Sequence, residues 1–463
     1  MRSPTLGSTE DAKVAVQEFV AANKISTFRI QAPDIDGLLR GKRIPVEYFA
    51  SSVAYKGSNI ANILFGWDLV DELLDNLTYT GWHTGYPDVT LLPDLSTMRV
   101  VPWEPGTAMV TCDITELDGT PVAISPREVL KRVIRRAESL GYAPRAAYEF
   151  EFYIFEGSPK ELADRKWRDP EPITHGSRTY NLYRGTGTEF LIGELRHMLH
   201  DCGIDIEASN SEHGPGQFEV NIHYSDALGA ADQAAILKSA VKELAARHGY
   251  TATFMAKVNP AWAGSSGHVH QSLSTLDGEP AFANAADGDL LSRVGEQYVA
   301  GLLELAAAMT ALYCPTVNSY KRTEGGSWAG SSATWGRDNR TVAIRGIPAT
   351  GTAARVENRI PGADANPYLV IAANLASGLY GIENSMTPPA ATTGNAYENP
   401  EANTRLLPNS LEAATAALRG SAAARDLLGS DFVDHFALTR DWEIRQFGRA
   451  VTDWETARYM EMI

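Results

Sequence analysis

Three cysteines in 463 residues, an odd number, cannot make a disulfide framework. Cys112, Cys202 and Cys314 are also too far apart in sequence for a cysteine-based zinc site, so three buried, reduced thiols are expected. Long hydrophobic runs are missing too. The most apolar stretch, Gly301 to Tyr313, is broken by Glu304 and is too short to cross a bilayer. The first twenty residues carry Arg2, Glu10, Asp11, Lys13 and Glu18, which leaves no apolar segment for a secretion signal. Positive charge is scarce, with 41 Lys and Arg against 57 Asp and Glu, a net charge of −16 and a pI near 5.1. Phosphate backbones are held by clustered Lys and Arg, so a main role on nucleic acid is excluded. The expectation is an acidic cytoplasmic enzyme with neither a membrane nor a nucleic-acid partner.

What is present is an ordinary globular composition, 44% hydrophobic and 21% charged, long enough for a large core and more than one domain. Residues 1–10 read as a loose tail and 11–23 as a helix with apolar positions Val14, Val16, Phe19 and Val20. Thr27 to Ile30 reads as a strand, Asp34 to Gly37 as a turn, and 37–45 as the returning strand. Short β elements punctuated by Pro87, Pro93, Pro102 and Pro105 continue to about 117. The turn signal Asp118-Gly119 closes this unit. Ser125-Pro-Arg-Glu128 then opens a helix, with Ser125 and Glu128 placed for a capping box and Gly141 placed to end it. No Gly/Ser linker, low-complexity run or repeat divides the rest. The expected organisation is α+β, with a small domain over 11–117 and a large one over 118–463. Residues 387–410 read as a surface loop. Residues 410–463 read as helical, burying Leu411, Leu418, Leu427, Phe432, Phe436 and Trp442.

The chemistry is concentrated in four strand-like segments. In Tyr148 to Phe155, Glu149, Glu151 and Tyr153 alternate with Phe150, Phe152 and Ile154. In Gly216 to Tyr224, Gln217, Glu219, Asn221 and His223 share a face, and Glu212 precedes them across Gly214-Pro-Gly216. Gly264 to Leu273 sets His268, His270 and Ser272 on one side, and Arg355 to Asn358 with Arg359 sets Arg355, Glu357 and Arg359 together. One such strand is commonly a solvated sheet face, and a lone histidine is commonly structural. Four strands bearing these glutamates and histidines together are different, because converging carboxylates repel unless a cation keeps them ionised. Carboxylates with one imidazole suit Mg²⁺ or Mn²⁺, and paired metals suit phosphoryl transfer. A basic segment follows: Asn318-Ser-Tyr-Lys-Arg322, the Gly-rich Glu324 to Gly330, then Arg337, Arg340 and Arg345. Arginine forks suit carboxylate and phosphate, although any single one can serve a structural ion pair, and the Gly-rich stretch reads as a flap.

These segments, with Asn339-Arg340 and Ala365-Asn-Pro-Tyr368, resemble glutamine synthetase in order and spacing over essentially the whole chain. The resemblance implies a small β-grasp domain on a larger domain with a curved antiparallel sheet. It implies ATP as cosubstrate, two or more Mg²⁺ or Mn²⁺ ions, glutamate and an amine as the partners in the reaction, and a dodecamer of two hexameric rings. It further implies one metal on Glu151, Glu212 and Glu219 and another on Glu149, His268 and Glu357. By the same likeness, His270, Ser272, Arg345 and Arg355 contact the nucleotide. Arg322 and Arg359 hold glutamate with help from Gly264, and Arg340 steadies the transferred phosphoryl group.

Two departures bear on the amine. The family pattern has a flap glutamate and an aspartate in a loop of the small domain, which together hold ammonium. Here Trp328 stands at the first position and Lys56, within Tyr55 to Asn59, at the second. Without those acids an ammonium ion is costly to desolvate, whereas an alkylamine can bury its methylenes on Trp328. The expectation is therefore a γ-glutamyl-amine ligase, with ethanolamine the first choice and putrescine or a polyamine also possible. A glutamine synthetase with an unusual ammonia site and a catalytically silent homologue are the alternatives. Tyr397 lies near where some family members carry an adenylylated tyrosine, but its flanking residues differ.

Overall fold

A computed structural model describes residues 9–176, 179–284, 286, 288, 290–323, 328, 330–398 and 405–463. The chain opens with the helix Thr9–Asn23 and then builds a six-stranded sheet. Thr27–Pro33 pairs antiparallel with Leu39–Pro45 and parallel with the long strand Thr107–Thr115. Asp88–Pro93 and Ser58–Ala61 continue the sheet antiparallel, and Arg99–Val100 pairs beside Thr107–Thr115. Phe28, Phe49, Phe65, Val89 and Val110 fill its core.

The second sheet has nine strands and curves around the site. Its backbone is Tyr142–Glu156, flanked by Gly267–Thr275 on one side and Gln217–Ile222 on the other, both antiparallel. Arg355–Asn358 and Ile344–Ile347 extend one edge antiparallel, and Ile206–Ser211 pairs with Gln217–Ile222 on the other. The antiparallel expectation fails only at Trp335–Arg337, which runs parallel to Ile344–Ile347. One face buries Phe150, Phe152, Phe218, Val220 and Val269 against long helices. Two of these, Arg293–Tyr313 and Pro367–Glu383, touch backbone to backbone. A Cβ on Gly301 would meet the Ser377 carbonyl at 2.0 Å, and one on Gly381 would meet the Gln297 carbonyl at 2.0 Å, so both positions require glycine.

The helix Pro126–Ser139 forms where expected, and Gly141 ends it at φ +85°. Its capping box does not form. The Ser125 hydroxyl is buried without a partner, and the Glu128 carboxylate pairs with Arg135 at 2.6 Å. Two polar nodes tie the small sheet to the rest. Arg127 is fully buried among Asp94, Asp113 and Asp232, and Asn366 donates to the carbonyls of Asp34 and Ile35 at 3.1 Å each. The C-terminal helices form as expected, and all six of their predicted apolar positions are buried. So are the three cysteines, all free. Of the expected tail at 1–10, residues 1–8 lie outside the described residues, as do most of the Gly-rich flap (324–327 and 329) and residues 399–404 of the expected loop, while Thr9 and Glu10 already belong to the first helix. No helix among the described residues is long and apolar enough to cross a membrane.

Candidate active site

Strand register lays the polar residues out in rows. Arg345 lies opposite Glu357, and Glu357 opposite His270. His268 lies opposite Glu149, and Glu149 opposite Asn221. Glu151 lies opposite Glu219. Because side chains alternate along a strand, these rows project from one face, opposite the aromatic core.

Glu149, His268 and Glu357 offer ligand atoms within 4.8 Å of one another. His268 Nδ1 lies 3.0 Å from Glu149 Oε1 and 3.6 Å from Glu357 Oε1, and Asn221 donates to Glu149 Oε2 at 3.1 Å. Burial works against the Glu149 anion, but hydrogen bonds and charge from His268 and His270 hold its carboxyl well below the usual range. Burial likewise opposes ionisation of Glu357; Arg359, helped by His270 and His268, overrides it and brings the pKa to about 2. Arg345 donates to Glu357 Oε2 at 2.8 Å, and Arg359 donates to Glu357 Oε1.

The second carboxylate set behaves oppositely. Burial and the charges of Glu149, Glu151 and Glu212 push Glu219 up to about 9. Burial, with the Glu212 charge adding, takes Glu151 to about 7 although the Ser266 amide donates to it at 2.8 Å. Glu212 is raised too, chiefly by burial, and is held by Asn210 at 2.9 Å and the His213 amide at 3.0 Å. Carboxylates this crowded ionise together only beside a cation. Both donor sets, one of two carboxylates with a single imidazole and the other of three carboxylates, fit hard divalent ions such as Mg²⁺ or Mn²⁺.

His270, Ser272, Arg340, Arg345 and Arg355 all line one cavity of about 610 Å³. Arg355 Nε donates to His270 Nδ1 at 3.3 Å, which orients the ring. Arg340 also lines a neighbouring cavity of about 730 Å³ with Trp328. Arg322 and Arg359 are buried, and each has an Nε with no partner. A Cβ on Gly264 would lie 2.3 Å from Arg322 Cγ, so glycine is what admits that arginine. The Gly264 carbonyl is fixed by Gln217 at 2.9 Å. Trp328 is exposed, with φ +58°, and its carbonyl accepts from Arg359 at 3.4 Å. Strand register thus brings Glu149, Glu151, Glu219, His268, His270, Arg345 and Glu357 to one face, and Arg340 lines both adjoining cavities. Lys56 is exposed at the end of a short helix and lines neither cavity.

The catalytic-domain model of glutamine synthetase matches residues 123–459. The chain belongs to the glutamine synthetase family. A glutamate–isopropylamine ligase of a Pseudomonas species is 51% identical over 97% of this chain and 98% of its own length. A γ-glutamylethanolamide synthetase of Streptomyces coelicolor is 36% identical over 99% and 97%. The ligand-free structure of GmaS superposes with a TM-score of 0.84 at 30% identity, covering 96% of this chain and 98% of its own. Among glutamine synthetase relatives, this chain resembles the γ-glutamyl-amine branch.

Several cavity residues of this family member had no role in the sequence reading. Arg145, Glu207 and Tyr224 line the 610 Å³ cavity, and Asp338 pairs with Arg345 Nε at 3.1 Å. Gln217 and Asn221 were legible as polar strand positions, but their partners were not. Tyr397 carries a hydroxyl that burial raises in pKa and that the charges of Arg359 and Arg322 and the Trp328 backbone pull back. Only folding brings it to those arginines.

Proposed function

We propose that this protein is an ATP-dependent ligase joining the γ-carboxyl of glutamate to an alkylamine. The observation that carries this reading is the strand register, which aligns Glu149, Glu151, Glu219, His268 and Glu357 on one face. Glu149, His268 and Glu357 would hold one divalent ion, and Glu151, Glu212 and Glu219 another. Such ions supply charge neutralisation for phosphoryl transfer. His270, Ser272, Arg345 and Arg355 orient ATP in the 610 Å³ cavity. Arg322 and Arg359 use their unpartnered Nε donors on the glutamate carboxylates, beside the Gly264 carbonyl. The γ-carboxylate oxygen takes the γ-phosphoryl group of ATP, releasing ADP. Arg340, lining both cavities, steadies that group as it passes. The amine nitrogen then attacks the acyl carbon, loses a proton, and phosphate leaves.

Trp328 supports an alkylamine over ammonia: it lines the cavity that Arg340 also lines, and burying a methylene on an apolar wall gains about 0.8 kcal/mol. The isopropylamine and ethanolamine relatives support the same class. We take residues 11–117 and 118–463 as the two domains, the first a β-grasp, and a dodecamer of two hexameric rings in the cytoplasm as the working form. The test offers isopropylamine, ethanolamine, aniline, putrescine, spermidine and ammonium with ATP, Mg²⁺ and glutamate, and measures phosphate release and the mass of the amide. A short alkylamine is expected to win. Preference for ammonium over every alkylamine makes the protein a glutamine synthetase, and no phosphate release with any amine makes it a silent homologue.

A further inference from the structure

A cavity of about 630 Å³ opens on the seam between the small sheet and the large domain, apart from the carboxylate strands. The turn Asp36 to Arg40 forms one wall, the helix Ala227–Arg247 another, and Glu443 of the helix Ser430–Arg449 closes a third. Lys238 and Lys242, one turn apart on the second wall, both line it. Their ammonium groups lie over the Phe254 ring, at 5.5 and 6.0 Å from its centroid.

Neither lysine has an ion pair among the described residues; Lys238 donates only to the Ala365 carbonyl, at 3.0 Å. Of the acids that line the cavity, Asp36 pairs with Arg440 at 2.6 Å, and Asp364 accepts from Thr316 and Ser319 through Oδ2 at 2.9 and 2.6 Å while its buried Oδ1 has no partner. Burial raises the Glu443 carboxyl above its ordinary pKa. Arg40, the third cation, is held by Asp34 and Asp71. Burial, with repulsion from Lys242 and despite Asp364, lowers Lys238 to about 7. In a chain of net charge −16, two lysines one turn apart repel each other at a cavity where neither has an ion pair among the described residues, and a bound anion would relieve that repulsion.

We propose that this seam cavity binds a small dianion, a phosphate-headed or dicarboxylate metabolite, between Lys238 and Lys242. The ligand would bridge the small sheet and the large domain. The inference does not depend on the proposed reaction.

Titration calorimetry on the full-length protein tests it, with inorganic phosphate and succinate as separate probes. At least one is expected to bind saturably and to weaken by about tenfold or more in the double variant Lys238→Met, Lys242→Met. Response to phosphate alone assigns a phosphate head, and response to succinate alone assigns a dicarboxylate. Lys242→Gln, near solvent, keeps the test if the double variant does not fold; it should weaken binding by about threefold or more. Catalytic constants measured without the anion should be unchanged in either variant. Equal binding by wild type and variants, or no saturable binding of either probe, overturns the proposal.

Discussion

Glu219 faces Glu151 across paired strands, and its carboxyl is forced up to about 9 by burial and three neighbouring glutamates. Opposed like charges in a sheet destabilise it, and that repulsion is stored wherever no cation is bound. Replacing Glu219 by Gln keeps the shape and removes the charge. In metal-free protein Glu219→Gln should raise the melting temperature above wild type. Wild type should gain melting temperature on adding Mg²⁺, and the variant should gain little and lose turnover. Thermal melts with and without EDTA check this, and an equal Mg²⁺ gain in both proteins would remove Glu219 from the ligand set. The glutamates themselves were legible in sequence, since Glu149 and Glu151 alternate with phenylalanines and Glu219 with Phe218 and Val220. Their energies were not, because the Glu151–Glu219 opposition exists only once the register is set.

At the scale of elements, caps show where local sequence is decisive and where packing overrides it. Ser125 and Glu128 spell a capping box, yet the Ser125 hydroxyl is buried without a partner. Asn366 looks like a plain turn residue before Pro367. It caps the helix Pro367–Glu383 through the Tyr368 amide at 3.0 Å and also holds two carbonyls of the small sheet's turn. Asn366→Ala should therefore cost about 2 kcal/mol or more, a cap plus buried hydrogen bonds. Ser125→Ala should be near neutral, within about 0.5 kcal/mol, because no bond is lost. Denaturant midpoints of the two variants decide it, and a larger loss for Ser125→Ala would reverse the assignment. The strands and helices were largely readable from apolar periodicity, whereas the parallel edge pair and the ties between sheets were not, since neither leaves a local pattern.

At the scale of the molecule, the helix Ser430–Arg449 straps the large domain to the small sheet. Trp442 donates to Asp68 at 3.0 Å, and the Leu438 carbonyl accepts from Asn76 at 2.7 Å. Between these two units His435 sits fully buried, edge-on to Phe65 and Tyr79. Burial, opposed by the Phe65 backbone and aided by the charge of Arg440, lowers its pKa to about 4 from 6.5. The fold therefore prefers the neutral ring, and the unfolded chain binds the extra proton between those values. Stability is unaffected by this group above about pH 6.5 and falls as pH drops towards 4, by up to about 3 kcal/mol. His435→Leu should flatten that acid loss. Unfolding at pH 7 and pH 5 checks the slope, and the same loss in both proteins would place the acid sensitivity elsewhere.

Glu357 gives one carboxylate to three claimants: the Arg345 arm of the proposed nucleotide cavity, the Arg359 arm of the proposed glutamate pocket, and the histidine cluster. A cation drawing that carboxylate to itself would loosen its hold on both guanidiniums at once. The two substrates would then find their grips released by a common event, which makes the ion a key for the order of binding as well as an aid to chemistry. Titrated without any divalent ion, the protein should take up glutamate and nucleotide feebly. With the ion present both affinities should rise together, and a gain confined to the nucleotide would show that Arg359 keeps its own counsel.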